Sequence, residues 1–359
     1  MTSPHILYHK WKTELTKRWP EMHAARRKAL TWFIVGMFLA RHVHLGRIAA
    51  KLPGQAQRTS KETNLIRLVN NEALPVRPMY EPLARELLAS AVAHGQALRL
   101  MIDGSKVGNG HQLLMIAFAY RRRAIPLIWT WRKGVKGHSP VNTQIALFEA
   151  LYDWIPKEAT VIVTGDSEFG STRLMKHFEQ WNWFYALRQK GSYKLSQDEK
   201  QSWVRCDSLV KESGQQAWLA DVLLTEKHAF SCHFLACWQR GYKEPWLLAT
   251  NLTNARVTRV NYSRRMWIEA FFGDCKGNGF DLEATRLKTP AALSRLVLVV
   301  ALLVIWFLSF GSQIVKNGQR YLVDRTDRRD LSLFRIGWDS VERRLSNNQS
   351  FSLRLMPYF

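Results

Sequence analysis

ALRLMIDGSKVGNGHQLLMIAFAYRRRAIPLIWTW (97–131) decides the fold class. Its three apolar runs, 97–103, 111–120 and 124–131, are separated by Gly104, by Gly108, Asn109 and Gly110, and by Arg121, Arg122 and Arg123. Short apolar runs with such punctuation predict three successive strands. Downstream the period changes. Ile145, Phe148, Leu151 and Tyr152 recur at helical spacing within 141–154. ATVIVTG (159–165) then reads as a buried strand, 172–180 as a helix and WFYALRQ (183–189) as a further strand.

Three antiparallel strands followed by helix, strand, helix, strand is a mixed α/β order, the order of a ribonuclease-H-like catalytic core. Working outward, residues 1–96 contain no strand pattern. Apolar helices are expected near 29–41 and 46–52, the second stopped by Pro53 and Gly54. Thr59 and Glu62 fit a capping box for a helix through Asn70, with Leu65, Leu68 and Val69 on one face. With 15 basic and 6 acidic side chains, this stretch is expected to be an all-α N-terminal DNA-binding domain. Between 191 and 251 the helical signal gives way to SWVRCDSLV, AWLADVLLT, AFSCHFLACW and EPWLLATN, read as an inserted, mostly antiparallel sheet. One long helix is expected from Val257 past Glu269 to Gly277. An apolar helix follows, and residues 321–359 are expected as a basic C-terminal tail beyond a catalytic domain at 97–320.

Composition narrows the partner. The 359 residues carry 52 Lys and Arg against 29 Asp and Glu, a net charge of +23, and an excess spread along the chain suits a polyanion. Four cysteines, Cys206, Cys232, Cys237 and Cys275, are too few for a disulfide framework at this length. The opening MTSPHILYHKWK has no apolar signal segment, so a reduced, cytoplasmic protein is expected. LVLVVALLVIWFLSF (296–310) has no charge, but such a helix spans only about 22 Å; it is expected to be core, with no membrane partner. Cys232, His233 and Cys237 do not complete a zinc site, because adjacent strand residues face opposite ways.

The chemistry lies in the carboxylates. Asp103 is expected at the end of the first strand, before Gly104 and Ser105, and Asp166 ends the fourth in VIVTGDSEFG. Two carboxylates brought together at neighbouring strand ends call for a counter-charge, which a divalent cation supplies. In VNYSRRMWIEAFFGDCKGNG (260–279), Tyr262, Arg265, Glu269 and Lys276 would fall within an arc of roughly 60° on one continuous helix. Asp274 is the rival third carboxylate, about 140° round that helix from Glu269. Trp203, Trp218, Trp238 and Trp246 in the insertion are sheet-packing aromatics or platforms for an unstacked base.

Tyr262-(2)-Arg265-(3)-Glu269-(6)-Lys276 matches without a gap the Y-(2)-R-(3)-E-(6)-K signature of bacterial insertion-sequence DDE transposases of the IS-four family, which the chain resembles over about 97–345. The segments around Pro245–Asn251 and LSLFRIGWDSVERRL (331–345) also look like that family. Ser167 stands where the family often has Arg after the second Asp, which puts one DNA contact in doubt and leaves the three carboxylates untouched. The resemblance implies that Asp103, Asp166 and Glu269 hold Mg²⁺, with Mn²⁺ able to substitute, and catalyse cleavage and strand transfer, with a hairpin intermediate as in the best-known relatives. It implies Tyr262, Arg265 and Lys276 as DNA contacts, with Arg188 and Lys190 as further candidates. The partners implied are double-stranded DNA, as transposon terminal inverted repeats and target, and a second copy in a homodimer, in a nucleoid-associated cytoplasmic setting. The alternatives are a transposase-derived DNA-binding protein without catalysis and a related metal-dependent nuclease.

Overall fold

The computed structural model describes residues 2–108, 110–134, 139–198 and 202–359; Asn109, one of the expected turn residues, lies outside them. Five helices come first: α1 (Ser3–Arg18), α2 (Ala24–Ala40), α3 (Leu45–Lys51), α4 (Arg58–Val69) and α5 (Val76–Ala93). Two of these were not anticipated. α1 buries Leu7, Trp11 and Leu15, a stripe too sparse to stand out. α5 buries Tyr80, Leu83, Leu87 and Leu88, but Pro78 and Pro82 in its first two turns disguise it. α4 starts at Arg58 with Gln57 at its N-cap and no capping side chain, so the Thr59–Glu62 capping box does not form.

Next come β1 (Leu98–Val107), β2 (His111–Tyr120), β3 (Arg123–Lys133), α6 (Val141–Tyr152), β4 (Val161–Gly165), α7 (Thr172–Gln180) and β5 (Phe184–Arg188). β1 to β3 form an antiparallel meander, while β4 lies parallel to both β1 and β5. The insertion supplies β6 (Lys194–Ser196), β7 (Val204–Arg205), β8 (Gln216–Leu224), β9 (Phe230–Cys237) and β10 (Trp246–Thr250). It is not a sheet of its own. β10 pairs antiparallel with β5 through Leu248 and Arg188, and one ten-stranded sheet results in the order β3-β2-β1-β4-β5-β10-β9-β8-β6-β7. The open edge of β5 is a template for another strand, and β10 occupies it. SWVRCDSLV contributes only the two residues of β7 and a short 3-10 turn, Cys206–Ser208.

α8 (Ala255–Ser263), α9 (Met266–Cys275), α10 (Pro290–Lys316) and α11 (Leu333–Ser346) complete the chain. α10 has a mean hydropathy of 2.6 over its most apolar window and is long enough to cross a bilayer, yet 89% of that window is buried inside the fold. Trp306 meets Trp11 edge-on at 5.5 Å, and Phe307 stacks on Trp338 of α11 at 4.8 Å. Apolar on every side, α10 is covered on every side. The N-terminal helices share this core. Tyr80 donates from its hydroxyl to Pro126 O at 2.5 Å, and Arg295 of α10 donates to Val69 O and Leu74 O. One apolar cluster therefore runs from Leu7 to Leu355. The stretch expected as a basic tail is packed as well: α11 lies on α10, and Phe359 caps Tyr120 at 5.4 Å.

Candidate active site

The carboxylates are positioned by strand register. β1 and β4 pair in parallel up to Ile102 opposite Gly165, so Asp103 and Asp166 each follow the last pair of that parallel junction. Asp103 is not at a strand end. β1 continues to Val107 in its ladder with β2, and only its pairing with β4 stops there. The side chain of Asp103 is 5% exposed, and its Oδ1 accepts a hydrogen bond from Gly104 N at 2.7 Å. Asp166 closes a turn, its Oδ1 accepting from Glu168 N at 2.9 Å. Gly165 permits that turn: a Cβ there would lie 2.9 Å from Phe169 Cβ and 3.0 Å from Ile102 Cγ2.

The expected long helix is broken. α8 ends at Ser263, α9 starts at Met266, and Arg264 and Arg265 form the joint. Tyr262 and Glu269 thus sit on different helices, with Arg265 at the bend between them. Arg265 places Nη2 2.7 Å from Glu269 Oε1 and Nη1 3.7 Å from Asp103 Oδ2. Its guanidinium also lies 5.8 Å from the Tyr262 ring centre. Burial works against the Arg265 charge, but Tyr262, Glu269 and Asp103 outweigh it and raise its pKa. Burial raises the pKa of Tyr262, whose hydroxyl lies beside Arg265 without completing a directed hydrogen bond, as does Arg265 Nε within its surroundings. Trp246 packs edge-on against Tyr262 at 5.0 Å and is buried, which makes it a core residue rather than a stacking platform.

The Arg188 charge opposes the burial-driven rise in the Tyr262 pKa, and Arg188 is held by Glu244 Oε2 at 2.9 Å and Pro245 O. Lys190 lines a cleft of about 480 Å³ beside Asp166, together with Ser139, Tyr193, Thr225 and His228. These last four were not anticipated. They come from three separate loops, Thr225 and His228 sharing the turn between β8 and β9, and share no local pattern, so the sequence carries no signal for them. Lys276 departs from the line drawn on an unbroken helix: it caps α9 and pairs with Glu283 at 2.7 Å.

Asp274, the rival carboxylate, pairs with Arg123 at 2.8 Å at the start of β3. Burial lifts its pKa to about 6. Because the folded value lies above the ordinary range of an aspartate, the folded state holds the extra proton, so this contribution is full at low pH and lost as pH rises through about 6. Relative to Asp274→Asn, the wild type is expected to lose on the order of 2–3 kcal/mol of stability between about pH 4 and about pH 6.5. Urea midpoints measured across that range check it; parallel curves would show that Asp274 does not titrate there.

The donor set suits a hard divalent cation, since carboxylate oxygens are the ligands Mg²⁺ and Mn²⁺ prefer. Among the described residues, no three His, Cys, Asp or Glu side chains are grouped to hold a metal as they stand. Arg265 draws Glu269 and Asp103 to itself instead. The Glu269 side chain is 43% exposed and engaged by Arg265, and in chemistry the donor set, three carboxylates, fits such a metal.

The site therefore consists of two aspartates at one parallel junction of a mixed sheet, with Arg265 linking Asp103 to Glu269 of α9. Residues 130–306 match the family model described as a transposase DDE domain; this span contains Asp166 and Glu269 and begins after Asp103. The match supports a DDE transposase. No curated protein matches the chain. Among solved structures, it is similar to the piggyBac transposase synaptic complex with hairpin DNA, at 12% identity and a TM-score of 0.44, over 100% of this chain and 86% of that one.

Proposed function

We propose that the chain is an insertion-sequence DDE transposase of the IS-four type, built on a ribonuclease-H-like core, that cuts transposon ends and joins them to target DNA. The observation that supports this reading is the parallel β1–β4 register ending at Ile102 and Gly165, the residues just before Asp103 and Asp166, with Arg265 joining Asp103 to Glu269. Asp103, Asp166 and Glu269 would hold Mg²⁺, or Mn²⁺ as substitute, which would supply Lewis acidity for the attacking water and the leaving oxygen. Tyr262 donates its hydroxyl to a phosphate at the cleaved end. Arg265, once Glu269 has turned away, offers its planar fork to the same phosphate. Arg188 and Lys190 guide the strand along the Asp166 cleft, and Lys276 meets DNA farther out. Hairpin formation on the opposite strand, action as a homodimer on paired ends and a place at the bacterial nucleoid belong to the same reading.

The test is purified protein with DNA carrying the sequences that flank its gene. Nicking at the ends and covalent joining to a second duplex are expected with Mg²⁺ or Mn²⁺, both lost on chelation and restored by adding metal. Cleavage without joined products would make the protein a nuclease, and tight binding without cleavage a DNA-binding derivative.

A further inference from the structure

Three of the N-terminal helices form a compact unit. α2 and α3 meet at 94°, and α4 packs on both. Close approach at two glycines fixes the arrangement. A Cβ on Gly36 would lie 2.7 Å from Ile48 and 2.8 Å from Leu52, and one on Gly46 would lie 3.1 Å from the Glu62 carboxylate. The turn from α3 to α4 contains Gly54 at φ +99°, with open space around it. It is tied down by Lys61, whose Nζ donates to Leu52 O and Gly54 O, both at 2.8 Å. Two helices joined by the six residues 52–57 and laid on a third supporting helix follow the order of a helix-turn-helix, with a turn longer than the usual three or four residues.

α4 has the faces such a unit needs. Leu65, Leu68 and Val69 are buried against α2 and α3. On the other side Arg58, Thr59, Ser60, Thr63, Asn64 and Arg67 are exposed, and no carboxylate is exposed among them. Arg58, Ser60, Asn64 and Arg67 make no side-chain hydrogen bond or ion pair among the described residues, so their donors and acceptors are available. Short hydroxyl and amide side chains between two arginines suit base edges, where Arg pairs with guanine and Asn with adenine. The surroundings are basic: Arg47 and Lys51 are exposed on α3. Arg286 and Lys288, from the segment between α9 and α10, line a cleft with Ile66 of α4 and its C-cap Asn70.

We infer that α3 and α4 form a helix-turn-helix whose second helix reads double-stranded DNA in the major groove. Thr59, Ser60, Thr63, Asn64 and Arg67 face base edges, and Arg47, Lys51, Arg286 and Lys288 rest on phosphates. Hydroxyl and amide groups between arginines on a helix ridge match the hydrogen-bonding edges of duplex DNA, and Ile66, exposed on the same helix, suits a thymine methyl. This inference rests on the reading that the chain binds DNA ends, and it names the surface that recognises them.

The test uses the full chain and a library of randomised duplexes. The wild type is expected to enrich a defined sequence. Asn64→Ala with Arg67→Ala should lower affinity for that sequence by about tenfold to a hundredfold, change the enriched sequence, and weaken binding to scrambled duplex far less, by the share of the one lost cation. Arg47→Ala with Lys51→Ala should weaken selected and scrambled duplex alike and flatten the salt dependence. Matching thermal melts for all variants would confirm that folding is preserved, as expected for exposed positions. If the α4 variant enriched the wild-type sequence with wild-type affinity, the inference would be overturned while end recognition itself stood. Enrichment of no sequence by the wild type would overturn both. Enrichment with no DNA cleavage would leave α4 as the reader and remove only the catalytic reading.

Discussion

Glu269→Gln is expected to reduce metal-dependent DNA cleavage by about a thousandfold or more, roughly 4 kcal/mol at 1.4 kcal/mol per factor of ten. The amide keeps the shape of the side chain and removes its charge, leaving two aspartates where three carboxylates would share the metal. DNA affinity should stay within about a factor of two, because the change lies among carboxylates and removes no cation that faces DNA. Single-turnover cleavage and binding measured side by side separate the two effects. Asp274→Asn is the control. Its carboxylate is engaged by Arg123 at the start of β3, so cleavage should proceed at close to the wild-type rate. Equal cleavage by wild type and Glu269→Gln would move the third carboxylate elsewhere, and loss of cleavage in Asp274→Asn alone would name where. The joint at Arg264 and Arg265 gives the comparison its force, because it turns α9 so that Glu269 follows Arg265 toward Asp103 while Asp274 points at β3.

Gly337→Ala is expected to destabilise the fold by about 3 kcal/mol or more. α11 crosses α10 so closely that a Cβ on Gly337 would lie 1.9 Å from Phe307 O and 2.7 Å from Phe307 C. These are backbone atoms in the middle of a buried helix, and no rotamer change relieves them. Gly311 makes the reciprocal approach, with a Cβ position 2.3 Å from Leu333 O. The two helices would have to separate, opening the contacts among Phe280, Phe307, Phe334 and Trp338. Urea unfolding monitored by tryptophan fluorescence gives the difference directly. A midpoint unchanged from wild type would show that α10 and α11 can slide apart at little cost. Helix propensity alone would favour alanine by about 1 kcal/mol, so the sign of the effect also tests whether packing or propensity dominates.

The sequence by itself determined the element order through the sheet, because that order is written in local period. Alternation of apolar runs with Gly and Arg turns produced β1 to β3, and helical spacing produced α6 and α7. It also determined the chemistry on offer: three carboxylates, a Tyr-Arg-Glu-Lys series at fixed spacing and a large positive charge. A fixed spacing does not carry its own geometry. Tyr262, Arg265, Glu269 and Lys276 read as one stripe only while the helix is taken as continuous, and backbone bending at Arg264–Arg265 is decided by packing against β1 and β4. The same holds for the insertion, whose strands look self-contained in sequence but pair with the free edge of β5, a long-range choice. Separation into a helical domain, a core and a tail follows composition, whereas burial follows contact. α10 is apolar all round, so it must be covered all round, and only the tertiary structure shows that helices from both ends of the chain do the covering.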